Sequence, residues 1–151
     1  MKALNTLRRF AIITIALFFS VTISAAEKFD PQAYKKELHK YITKKANFKD
    51  SEATCFFKLF DEMRAKERKL FEQARNIAKQ KPNTDEEIKN VISKADEIEI
   101  SIKKVQQTYH QKMLKHLPVK KVYKALKAAE FYDRTKFKDL VVEKLSNDKK
   151  K

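Results

Sequence analysis

The feature of this 151-residue sequence that most constrains its fold is the complete absence of glycine. Tight two-residue β-hairpins need positive φ angles, which glycine adopts at little cost, so a chain without glycine is poorly suited to a sheet. The three prolines, Pro31, Pro82 and Pro118, stand between stretches whose apolar residues recur at helical spacing. The sequence therefore predicts an all-α fold with prolines between its helices.

The N-terminal segment has the three-part pattern of a secretory signal peptide. Residues 1–9 contain three basic side chains and no acid, residues 10–23 are almost wholly apolar, and residues 24–26 supply small side chains before a cleavage site. The apolar run is shorter than the roughly 20 residues of a membrane-spanning helix, although an uncleaved anchor is the alternative. We expect a signal peptide (1–26) and a periplasmic protein that contacts membrane only before cleavage.

The charge of the exported chain is strongly positive. The whole sequence carries +15, and the signal peptide holds three of its 35 basic residues and none of its 20 acids, which leaves +12. Export argues against nucleic acid as the partner, so acidic proteins, anionic lipid or envelope polymers are the expected ones. The alternative interpretation is a set of lysine-rich helices that are simply solvated.

The first two predicted helices begin at identifiable caps. Asp30 is a suitable N-cap and Pro31 fits the first helical position, where its missing N–H costs nothing, so a helix is predicted over 30–45. The pattern then breaks, and Asp50 is placed to cap a second helix over 51–79. This second helix carries apolar residues on more of its circumference than one packing face uses.

The third predicted helix has the strongest periodic signal. Thr84 and Glu87 form a capping box at its start, and it extends to about residue 116. Its apolar residues repeat with three-four spacing, which is typical of a coiled-coil-like seam. The members of this seam are Ile88, Val91, Ala95, Ile98, Ile102, Val105 and Tyr109.

The short connection between the second and third helices predicts a long antiparallel hairpin. Pro118 ends the third helix and a fourth begins near residue 119, so helices flank the hairpin at both ends. The helical domain is predicted over 27–145, and the basic tail (146–151) is predicted to be disordered. The apolar stripes exceed what one thin hairpin can bury, which favours a homodimer.

No pattern in the sequence indicates an enzyme or a bound cofactor. A glycine-rich phosphate loop, a Cys-x-x-Cys pair and a His-Glu-x-x-His motif are all missing. His110 and His116 are six positions apart and point about 120° apart on a helix, so zinc within one chain is not expected, while a site shared between chains stays open. Cys55 is expected to pack as a hydrophobic residue, with an intermolecular disulfide as the alternative.

Exposed apolar surface beside lysines is the feature that points to a function. Such surface is typical of a protein-binding face. We expect the lysines of the first helix and two phenylalanines of the second to contact a bound polypeptide. The candidate residues are Lys35, Lys36, Lys40, Lys44, Phe57 and Phe71.

The sequence resembles the Spy/CpxP periplasmic family, including the short Bacteroidetes versions labelled heavy-metal sensors or zinc-resistance-associated proteins. The family's Leu-Thr-x-x-Gln motif corresponds to residues 48–52 and 117–121, where Leu117 is the one literal match. Residues 56–64 (Phe-Phe-Lys-Leu-Phe-Asp-Glu-Met-Arg) and 106–110 (Gln-Gln-Thr-Tyr-His) are similar to the Bacteroidetes versions. The resemblance covers essentially the whole exported domain.

The resemblance implies a long helical hairpin that dimerises into a thin, curved cradle with a basic concave face. It also implies either an ATP-independent chaperone or an accessory inhibitor of an envelope-stress sensor. We therefore expect a protein that binds unfolded or stress-exposed envelope proteins. The alternatives are an accessory regulator of an envelope-stress or metal-stress sensor, and a metal-responsive protein that uses histidines shared between chains.

Overall fold

The structure, a computed structural model, describes the backbone of residues 30–148 and the side chains through residue 139. The predicted signal peptide and residues 149–151 lie outside the described residues. Four α-helices and no strand make up the described part of the chain, which confirms the all-α fold and a hairpin with a helix on either side. They are α1 (Pro31–Ala46), α2 (Asp50–Ala78), α3 (Asp85–His116) and α4 (Val119–Asp148).

Helix α1 is capped at both ends, and neither cap uses glycine. The Asp30 carboxylate accepts a hydrogen bond from the Gln32 backbone N–H at 2.8 Å, and Pro31 follows directly, as predicted. At the other end Asn47 adopts the left-handed region with φ 52° and donates its N–H to carbonyls of the last turn. Asparagine tolerates this conformation better than most residues, so it ends the helix in place of glycine.

The start of α2 differs from the predicted one by a single residue. The Ala53 N–H donates to the Lys49 carbonyl at 2.9 Å, which makes Lys49 the N-cap and places Asp50 inside the helix. Asp50 was therefore wrong as the cap, because it occupies the first helical position. The Glu52 carboxylate accepts from the Lys49 N–H at 2.8 Å, which is the bond that the third helical residue makes in a capping box.

The capping box at the start of α3 is confirmed. The Thr84 hydroxyl accepts from the Glu87 N–H at 3.2 Å, and the Glu87 carboxylate accepts from the Thr84 N–H at 3.2 Å. The Glu87 carboxylate also accepts from the Asn83 N–H at 2.7 Å, and this bond, followed by that from the Thr84 N–H, lowers the pKa of the Glu87 carboxyl. The helix ends at His116, as predicted.

Helix α4 begins at Val119, as predicted, and runs through Asp148. Residues 146–148, which the sequence pattern assigned to the disordered tail, are therefore helical.

The described chain divides into two compact units. One, which we call the terminal unit, comprises residues 30–59 and 112–148; the other, the hairpin unit, comprises residues 60–111. The core of the terminal unit combines α1, the first turns of α2, the end of α3 and α4. Its largest fully buried side chains are Ile42, Phe56, Met113 and Val122.

The hairpin unit is an antiparallel pair formed by parts of α2 and α3. The Tyr109 hydroxyl donates to the Glu62 carboxylate at 3.3 Å, and the Gln106 amide donates to the Glu67 carboxylate at 2.7 Å. Glu67 is buried at 3% exposure, so the Gln106 bond supplies a partner that a buried carboxylate needs.

The predicted seam of α3 is covered only in part. Ile102 and Tyr109 are buried, whereas Ile98 is half-buried and Ile88 is exposed. Two helices alone cover little of each other, so the seam residues nearer the loop retain access to solvent. Ile98, a member of the predicted seam, is therefore less covered by its neighbours than Ile102.

His110 gives the hairpin unit an expected dependence on pH. Burial lowers the pKa of His110 below 6.5, and nearby Lys103 acts in the same direction, while the Glu67 carboxylate opposes both. The unfolded chain therefore takes up the proton first as pH falls, and the folded state loses stability from about pH 6.5 downward. We expect the melting temperature to fall more between pH 7.5 and 5.5 in wild type than in a His110→Gln variant.

Circular dichroism melts at the two pH values measure this difference. His116→Gln is the matched control, since His116 is exposed at the end of α3. Equal pH dependence in wild type and His110→Gln would show that His110 contributes nothing to it.

Candidate binding groove

An open groove of about 450 Å³ lies between α1 and α4 in the terminal unit. We call it the aromatic groove. Both aromatic rings and lysine side chains line it. Its lining residues are Tyr41, Lys45, Tyr123, Lys124, Lys127, Ala128 and Phe131.

Helical spacing brings these side chains together. Tyr41 and Lys45 are one turn apart on α1, so they lie on the same side of that helix. Tyr123, Lys127 and Phe131 follow each other at four-residue intervals on α4 and form a stripe of aromatic, cation and aromatic.

Two aromatic rings of the groove are open to solvent. Tyr123 is 65% exposed and Phe131 is 56% exposed. Large exposed aromatic side chains are uncommon on a monomeric surface and are enriched where another molecule binds. Tyr41 is half-buried and lies parallel to Phe131, with 6.5 Å between ring centroids and 13° between ring planes.

Two hydrogen bonds join α1 and α4, the helices that line the aromatic groove. The Tyr34 hydroxyl donates to the Asp133 carboxylate at 2.5 Å, and the Tyr132 hydroxyl donates to the Glu37 carboxylate at 2.9 Å. Burial, followed by the Glu37 hydrogen bond, raises the pKa of Tyr132 to about 12, so this tyrosine remains a donor at physiological pH. The Tyr132 ring also packs on Tyr41 at a centroid distance of 5.3 Å.

The lysines of the groove have different electrostatic surroundings. Lys127 pairs with Glu130 at 2.9 Å, which raises the pKa of Lys127 and lowers that of Glu130. Lys45 lies 5.5 Å from the Tyr41 ring centroid, within the range of a cation–π contact. Lys124 is exposed and forms no ion pair with the residues whose side chains are described. The groove therefore presents positive charge beside apolar rings.

Comparison with known proteins finds no matching family model, curated protein or solved structure.

The four lysines predicted as a binding face do not line the aromatic groove. Lys35, Lys36, Lys40 and Lys44 are all exposed on α1. The last three follow each other at four-residue intervals and form a separate stripe. Among the lysines of α1, Lys45, which the sequence did not single out, is the one that lines the groove.

The two predicted phenylalanines are less accessible than expected. Phe57 is half-buried and stacks on the His39 ring, with 3.8 Å between centroids and 13° between planes. Phe71 is half-buried in the hairpin unit, and its ring is also in contact with another group. The excess apolar surface predicted for α2 is therefore only partly accessible at these two positions. Among the residues whose side chains are described, the exposed large hydrophobic ones lie on α3 and α4: Ile88, Ile92, Ile100, Leu114, Val119, Tyr123 and Phe131.

A metal site and the Cys55 thiol are the other chemical features that the sequence raised. No group of three or more His, Cys, Asp or Glu side chains suited to a metal ion occurs among the described residues. Cys55 is a half-buried free thiol in α2. Over the same residues, no helix is both long enough and apolar enough to cross a bilayer.

Proposed function

We propose that this protein is an exported, ATP-independent, chaperone-like protein that binds unfolded or stress-exposed envelope proteins. The observation that supports this best is the aromatic groove, where exposed Tyr123 and Phe131 stand beside Lys45 and Lys124. An unfolded chain offers apolar side chains and acidic residues in no fixed arrangement. A shallow surface with rings and mobile lysine side chains can accept many such segments.

In this proposal charge governs how fast a client associates, and apolar contact governs how slowly it is released. The +12 charge of the exported chain attracts acidic segments at long range and raises the association rate. The rings then bury apolar side chains of the client and slow its release. Salt screens the first step, because the Debye length falls from about 10 Å at 0.1 M to about 3 Å at 1 M. The apolar contacts persist at high salt.

A pair of charge-reversal variants separates local contact from net charge. Lys45→Glu/Lys124→Glu changes the groove, and Lys40→Glu/Lys44→Glu changes the α1 stripe by the same total charge. We expect both variants to slow association with an acidic unfolded client, and only the groove variant to speed its release, by about tenfold. Stopped-flow rates with a fluorescent acidic client, and with a client of reversed charge, measure both steps.

Two outcomes would contradict the proposal, one from these rates and one from a pulldown with this protein as bait. Equal, salt-independent rates for the acidic and basic clients would reject charge steering and leave the positive charge as a solubility feature. Failure to bind any unfolded client, together with tight capture of one folded sensor domain, would replace the chaperone-like role with that of an accessory regulator.

A further inference from the structure

Helix α3 carries the most acidic stretch of this basic protein. Residues 85–100 contain six acids and two lysines. The acids of the first turn favour the positive end of the helix dipole, and Glu87 belongs to the capping box. Helix formation does not call for the acids further along, such as Asp96.

Two isoleucines on this stretch are exposed in a regular arrangement with Asp96. Ile92 is 56% exposed and Ile100 is 53% exposed, and Asp96 lies midway between them, also exposed. The three positions are four residues apart, so they form one stripe on the helix. We call it the isoleucine stripe. Asp96 forms no ion pair with the residues whose side chains are described.

The isoleucine stripe is the complement of the stripe that lines the aromatic groove. Ile92, Asp96 and Ile100 read as apolar, anion and apolar, whereas Tyr123, Lys127 and Phe131 read as aromatic, cation and aromatic. In both stripes the first and last residues are eight positions apart, or about 12 Å along a helix at 1.5 Å per residue. When the central residues are opposed, the apolar side chains at both ends can meet.

We infer that the isoleucine stripe of one molecule docks in the aromatic groove of a second copy of this chain. The contact places Asp96 against Lys127 and sets the two isoleucines against the rings of Tyr123 and Phe131. Charge complementarity and equal spacing favour this occupant, with Asp96 sharing the Lys127 ammonium with Glu130, which pairs with it at 2.9 Å. A stripe with lysine in place of Asp96 would be repelled by the lysines of the groove.

The contact has a consequence for client binding, which rests on the proposed function. A groove covered by a second copy is closed to clients, so an acidic client must compete for it. Addition of such a client should therefore dissociate the self-associated protein, and dilution should raise the fraction of open grooves.

A charge-swap experiment tests the contact without any client. The protein, purified after export from its expression host, is studied by sedimentation at low salt as wild type, Asp96→Lys and Lys127→Asp. We expect wild type to self-associate, and each variant alone to do so at least about tenfold more weakly. An equimolar mixture of the two variants should regain association, because Lys at position 96 then faces Asp at position 127.

Matched controls are Glu72→Lys and Lys138→Asp, exposed positions on α2 and α4 outside both stripes. These should associate as wild type does, and circular dichroism confirms that all variants are folded. A wild type that is monomeric at high concentration, or a mixture that fails to regain association, would overturn the inference. Client binding measured separately distinguishes the two proposals: binding without self-association rejects this contact alone, and self-association without binding rejects the proposed function alone.

Discussion

Replacing Phe56 by alanine is expected to lower the free energy of unfolding by about 3–5 kcal/mol. Phe56 is 0% exposed in the terminal unit, with Phe48 and Phe57 at centroid distances of 5.1 Å and 5.4 Å. Removal of the ring loses its burial and leaves a cavity that its neighbours fill only in part. Because domains of this size are stable by about 5–15 kcal/mol, the loss is a large share of the total.

Urea unfolding followed by circular dichroism measures this change. Phe131→Ala is the matched control, since it deletes the same side chain from an exposed position on α4, and we expect it to stay within about 0.5 kcal/mol of wild type. A loss below about 1 kcal/mol in Phe56→Ala would mean that this ring is not a central element of the core.

The ends of the helices were the part of the fold that the sequence predicted best. Asp30 with Pro31, and Thr84 with Glu87, are local signals in which a side chain satisfies a backbone donor a few residues away. Such signals need no knowledge of the rest of the chain. The start of α2 shows their limit, because the helix begins one residue earlier than the Asp50 cap implied, with Lys49 as its N-cap.

How deeply each apolar residue is buried could not be predicted from the sequence, because burial depends on residues that are far apart along the chain and close in space. The seam pattern treats Ile88, Ile98 and Ile102 alike, yet only Ile102 is buried. The difference comes from what packs beside each position, since two helices alone cover only part of each other. A periodic pattern marks the side that faces inward and says nothing of how well that side is covered.

The aromatic groove was missed for the same reason. Phe131 is exposed and Tyr132, its neighbour in sequence, is buried, although their adjacency in sequence gives no reason to separate the two rings. The available signal was the separate phase of Tyr123, Lys127 and Phe131 on α4, which differs from that of the buried residues of the same helix. The groove itself also needs Tyr41 from α1, and no local pattern indicates that α1 and α4 lie side by side.

The second large effect is expected from the exposed rings of the aromatic groove. Tyr123→Ala/Phe131→Ala should weaken binding of an acidic unfolded client by about 30-fold or more, since an aromatic anchor at an interface contributes about 1–2 kcal/mol or more. Both rings are largely exposed, so their removal should leave the free energy of unfolding nearly unchanged. The loss should persist at high salt, because it concerns apolar contact.

A control of similar chemistry is present on the same protein. Leu114→Ala/Val119→Ala removes two exposed apolar side chains of the terminal unit that do not line the groove, and we expect it to bind clients as wild type does. Equal losses in both double variants would indicate a diffuse apolar surface in place of one groove.

Isothermal titration of an acidic unfolded client at high salt, into wild type and into Tyr123→Ala/Phe131→Ala, tests the central claim most directly. Under these conditions long-range attraction is largely screened, and the measured affinity reports the groove contacts. The groove account predicts binding by wild type and a dissociation constant raised by about 30-fold or more in the variant. Equal dissociation constants for the two proteins would contradict it.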